Sequence, residues 1–119
     1  MAREKGFLNL AAFNLHQAAE CAYTTIEVVF SGYKPKLHDL KKLDRRARAH
    51  DTGFAAVFPR DTQEQKDLFE KLKHAYVDAR YKADYTITAD ELEYLAARVR
   101  KLHRLTSKLC KAEIAALGA

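Results

Sequence analysis

The chain has 119 residues, 48% of them hydrophobic and 31% charged, a globular balance with room for one core of ordinary size and not for several. A net charge of +5 and a pI near 9.2 favour phosphate-bearing partners without specifying one, because a basic surface attracts any polyanion. No apolar run reaches the roughly 20 residues of a spanning helix, and Met1-Ala2-Arg3-Glu4-Lys5 lacks the apolar centre of a secretion signal. The expectation is therefore a cytoplasmic chain that does not enter a membrane.

With four Gly and two Pro, long stretches are free of helix breakers. The first predicted helix runs from about Arg3 to Ser31. Leu8, Ala11, Leu15, Ala18, Ala22, Thr25 and Val29 recur at three- and four-residue steps, the seam of a bundle helix. Leu10, Cys21 and Val28 widen that seam, so this helix is expected to be covered on more than one side. Gly32 is placed to terminate it, with Pro35 shortly after. Cys21 and Cys110, far apart and without a C-x-x-C pair, read as small buried hydrophobes in a reducing compartment.

The basic connection Tyr33-Lys34-Pro35-Lys36-Leu37 leads to a shorter helix from about His38-Asp39 to His50. Its apolar face is Leu37, Leu40, Leu43 and Ala47, and its basic face is Lys41, Lys42, Arg45, Arg46 and Arg48. The apolar connector Phe54 to Arg60 is expected to fold its phenylalanines onto the bundle. A third helix starts at Asp61-Thr62, with amide and acidic residues three positions on. It carries Leu68, Leu72, Ala75, Ala79 and Ala83 inward and stops near Asp84-Tyr85. A fourth begins with the capping box Thr88-Ala89-Asp90-Glu91, followed by Leu92, Leu95, Val99, Leu102, Thr106 and Leu109. The expected fold is all-α, an antiparallel up-down four-helix bundle with one shorter helix, forming a single domain over residues 1–119.

Three strings carry more than helix periodicity. They are Phe13-Asn14-Leu15-His16-Gln17-Ala18-Ala19-Glu20, then Gly32-Tyr33-Lys34-Pro35-Lys36-Leu37-His38-Asp39-Leu40, then Ala75-Tyr76-Val77-Asp78-Ala79-Arg80-Tyr81-Lys82. In this order and spacing they resemble the HEPN domain (higher eukaryotes and prokaryotes nucleotide-binding), most closely the type that follows a minimal nucleotidyltransferase domain in bacterial proteins. The immediate entry into the first helix fits the C-terminal part of such a longer chain. Many relatives follow the Arg-Tyr pair with proline, where this chain has Lys82.

The resemblance implies a bundle that is commonly a homodimer, handles nucleotide or RNA, and works with a nucleotidyltransferase domain in the same chain or operon. No cofactor and no metal are expected. Part of the superfamily consists of metal-independent endoribonucleases, often toxins paired with a nucleotidyltransferase antitoxin, that carry Arg-x4-6-His. Arg98 and His103 fit that spacing on the last helix, with His103 as the base for a ribose hydroxyl and Arg98 to stabilise phosphorane charge.

With nine Arg and five His, about one such match is expected by chance, and Arg45 to His50 also fits. On a straight helix the two side chains stand roughly 140° apart. Toxin relatives often place tyrosine two residues after the histidine, where this chain has Leu105. Candidate nucleotide or RNA contacts are Lys34, Lys36, His38, Arg80 and Tyr81. For Arg80, a buried ion pair with Glu20 or Asp39 stands beside the phosphate contact. His16 and Glu20, four residues apart, form a possible metal pair without a third ligand, and His38-Asp39 is placed to cap the second helix. A ligand-free dimerisation bundle is the remaining alternative.

Overall fold

The computed structural model describes residues 2–76 and 84–118. Within them the chain forms four α-helices: α1 (Ala2–Ser31), α2 (Leu40–His50), α3 (Gln63–His74) and α4 (Ala89–Gly118). A 3-10 helix, Thr52–Ala56, joins α2 to α3. The protein is an all-helical bundle, and no strand occurs among the described residues.

The helix ends are set by side chains that satisfy the free backbone N–H groups of a first turn. Asp39 caps α2 by accepting from the Lys41 and Lys42 amides. Thr62 and Gln65 form a capping box on α3. The Thr88 hydroxyl accepts from the Glu91 amide at 3.1 Å, while the Thr88 amide donates to the Glu91 carboxylate at 2.9 Å. Gly32 closes α1 at φ 71°, and its amide donates to the Val28 carbonyl at 2.9 Å; that left-handed backbone favours glycine.

Two expectations about single helices need correction. The third helix ends at His74, well before Asp84-Tyr85. The Lys71 carbonyl, which the Ala75 amide would take in a continuing α-helix, instead accepts from the Tyr85 hydroxyl at 2.7 Å. The Ala75 amide turns to Leu72 at 3.2 Å, a tightened last turn. Ala79 and Ala83 lie outside the described residues. Secondly, Leu10, Cys21 and Val28 are exposed. The buried residues of α1 are Asn9, Ala12, His16, Ala19, Ala22, Tyr23, Ile26 and Glu27; Ala22 belongs to the expected seam, and the others lie mostly one position round from it. Polar groups with internal partners occur among them. The Asn9 side-chain amide donates to the Tyr85 carbonyl at 3.3 Å, and the Tyr23 hydroxyl donates to Asp44 at 2.8 Å.

Residues 32–39 carry the chain back along α1, with Pro35 buried and Lys34, Lys36 and His38 outward. As a result the helices do not follow the strict antiparallel up-down order expected, and α2 rises in the same sense as α1: His38 meets Glu20, Asp44 meets Tyr23, and His50 meets Glu27. α4 rises with α1 too, since Tyr85, just before its start, meets Asn9 while His103 meets Ala18. As expected, the connector phenylalanines Phe54 and Phe58 are buried, with Phe58 edge-on to Phe69 at 5.2 Å.

Candidate functional site

The return of the chain along α1 places one residue pair beside another. His16 and Glu20, one turn apart on α1, share a face, and His38 arrives from the return segment. Tyr76, immediately after α3, closes the group. Its ring stacks on His38 with centroids 4.6 Å apart and planes 8° from parallel. On the inner side it meets His16 at 5.3 Å. Each of the three strings singled out in the sequence contributes: His16 and Glu20 from the first, His38 from the second, Tyr76 from the third.

Glu20 holds Nδ1 of His38. An ionised carboxylate only accepts, so Nδ1 carries the proton and Nε2 is left facing away. The His38 side chain is 57% exposed and Glu20 14%, so a firmly oriented imidazole is presented to solvent. His16 differs: it is fully buried, and Nδ1 stands 3.8 Å from Glu20, beyond hydrogen-bond length. Burial lowers its pKa below the ordinary imidazole value, and the Glu20 charge only partly opposes this.

A groove of about 440 Å³ runs beside Glu20, lined by Gln17, Cys21, Thr24, Val28 and Lys34, within the size range of small-molecule sites. Lys34 and Lys36 stand exposed on the return segment, followed by exposed Lys41, Lys42, Arg45 and Arg46 on α2. The site thus has an aromatic stack, a groove and a positive border. A larger cleft between α3 and α4, about 570 Å³, is lined by Glu64, Asp67, Asp90 and Glu91 around Lys71, and its charge repels phosphate.

Arg98 and His103 are not brought together within one chain. Arg98 turns to the connector, donating to the Ala56 and Val57 carbonyls at 3.4 and 3.5 Å, and lies over the Tyr94 ring at 5.7 Å. His103 turns to α1, with Nε2 at 3.1 Å from the Ala18 carbonyl. His50 of the second Arg-x4-His match pairs with Glu27 at 3.0 Å and stacks on Phe30. Arg80 and Tyr81 lie outside the described residues. The partners weighed for Arg80 are engaged: Glu20 with His38, and Asp39 with the α2 cap and, at 3.9 Å, Lys73. Tyr76 was not singled out from the sequence, and Glu20 only as half of a metal pair and as a possible partner of Arg80. The signal for Glu20 was its i,i+4 spacing to a histidine; for Tyr76 it was membership of the third string.

Among the described residues no group of three or more His, Cys, Asp or Glu side chains is arranged to hold a metal ion. No helix among them is long and apolar enough to cross a membrane.

An all-helical bundle whose three characteristic strings converge on one aromatic and acidic cluster defines the class. The HEPN domain family model matches residues 2–109, and the chain belongs to the HEPN domain family. That family is associated with nucleotide- and RNA-related functions, and its domains often form dimers. None of the curated proteins matches the chain.

Proposed function

We propose that the chain is a nucleotide- or RNA-binding HEPN module that works, as a homodimer, with a nucleotidyltransferase domain in the same polypeptide or operon. The observation that carries this is the His38–Tyr76 stack, half open to solvent and held in orientation by Glu20. A nucleobase extends such a stack, since base–aromatic stacking is tolerant of base identity and is worth about 1–3 kcal/mol per base. Lys34 and Lys36, exposed on the same segment as His38, supply positive charge for the phosphates of such a ligand, and the chain's family supports the nucleotide link.

Calorimetric titration with ATP, GTP and UMP tests it. Binding is expected to weaken about tenfold in His38→Ala and in Tyr76→Ala, the loss of one stacking contact. No heat with any nucleotide or short RNA would leave the ligand-free dimerisation bundle in its place.

A metal-independent ribonuclease would need Arg98 and His103 to meet, and in one chain they face different elements. Incubation with structured RNA in EDTA tests this alternative: the binding module leaves the RNA intact. Cleavage lost in both Arg98→Ala and His103→Ala would establish the enzyme instead.

A further inference from the structure

The last helix carries a second charged feature that the His38–Tyr76 site does not use. Arg100, Lys101, Arg104, Lys108 and Lys111 are all exposed. At 100° per residue they fall within one arc of about 100°, a straight stripe along α4. Over eleven residues of rise the stripe is roughly 16 Å long, with cations at every turn. No acidic residue interrupts it: the nearest in sequence are Glu93 and Glu113, outside both ends.

Such a stripe works against the helix. Exposed helices gain from opposite charges at i,i+3 and i,i+4 and lose from like ones. Here Arg100–Arg104 and Arg104–Lys108 are like pairs at i,i+4, and Lys101–Arg104 and Lys108–Lys111 at i,i+3. Some cations elsewhere find carboxylate partners: Arg48 and Arg60 with Asp44, Lys71 with Glu91, and Lys73 with Asp39. The α4 stripe makes no ion pair among the described residues. Repulsion within about one Debye length is relieved when a polyanion lies along the row.

We propose that the outer face of α4 from Arg100 to Lys111 is a track for the phosphate backbone of a polynucleotide, separate from the His38–Tyr76 site. Two arginines in the row suit bidentate phosphate contacts. The choice of nucleic acid over another polyanion rests on the RNA-linked function proposed above. A lipid surface fits less well, because the stripe itself holds no apolar side chain to enter the acyl boundary. The track binds by charge and not by base identity, so it serves chains of several nucleotides and adds nothing for a mononucleotide.

Fluorescence anisotropy with a labelled oligouridylate of about 12 nucleotides, against UMP as the single-phosphate control, reads this directly. In the variant R100Q/K101Q/R104Q/K108Q, oligonucleotide affinity is expected to fall at least about tenfold, and the slope of log K against log salt to become shallower by about 3, for four contacts at roughly 0.7 each. UMP affinity stays unchanged. The variant should melt no lower than wild type at low salt, since only like-charge contacts are removed, which separates loss of binding from loss of fold. Unchanged oligonucleotide affinity and salt slope would overturn the track while leaving the His38–Tyr76 site standing. Loss in the stripe variant with none in His38→Ala or Tyr76→Ala would sustain the track and overturn that site. Preferential, stripe-dependent binding to phosphatidylserine vesicles would overturn the assignment to nucleic acid.

Discussion

Asp44 gathers three donors on one fully buried carboxylate: the Tyr23 hydroxyl, Arg48 Nε and Arg60 Nη2, each at 2.8 Å. Arg60 also lies 4.5 Å over the Phe69 ring. This network ties α1, α2 and the start of α3 together, and burial with the Asp44 charge pushes the Tyr23 phenol well above its usual pKa. Asp44→Ala is predicted to cost about 3 kcal/mol in urea unfolding, towards the lower end for a broken buried pair because both guanidinium groups keep some water. A cost below about 1 kcal/mol would mean the network is ornamental to folding. His16 makes a pH prediction. Its folded pKa is lowered by burial, so the unfolded chain takes up the proton first, and stability falls as pH drops below about 6.5. His16→Gln should flatten that part of the stability–pH curve; an identical curve in the variant would show that His16 is not held neutral.

The caps were the most legible elements. Thr88 with Glu91, Thr62 with Gln65, and Asp39 all act where local sequence placed them, because a cap is decided within four residues. Thr88→Ala is expected to cost about 1 kcal/mol by thermal or denaturant unfolding, and Gly32→Ala a similar amount through its positive φ. Little change in either would show that tertiary contacts, and not the caps, fix these ends. The seam of α1 was less legible. Apolar periodicity selected Leu8, Leu15 and Val29, which are only partly buried, and missed Asn9, His16, Tyr23 and Glu27. Asn9, Tyr23 and Glu27 are inside with polar partners from distant segments and His16 with the Tyr76 ring against it, and a partner seventy-six residues away, as for Asn9, leaves no trace in a helical period. The early end of α3 was hidden for the same reason, since the hydroxyl that takes its carbonyl comes from Tyr85.

At the scale of the whole molecule, the bundle and its family were readable, and the site was readable only in pieces. The three HEPN-like strings were recognised as an ordered set; what joins them in space is the return of residues 32–39 along α1, which brings His38 to Glu20 and lets α2 rise beside α1. A basic connector with one proline does not announce that path. The Arg98–His103 spacing, by contrast, was visible in sequence, and its half-turn of separation is what the fold displays: one side chain on the connector, the other on α1. The proposed function places the binding site where aromatic, acidic and basic residues from three segments meet. Titration of isotopically labelled protein with UMP, followed by amide chemical shifts, tests that claim most directly. The predicted result is a saturable cluster of shifts at Glu20, Lys36, His38 and Tyr76; shifts centred instead on Arg98 and His103, or none at all, would contradict it.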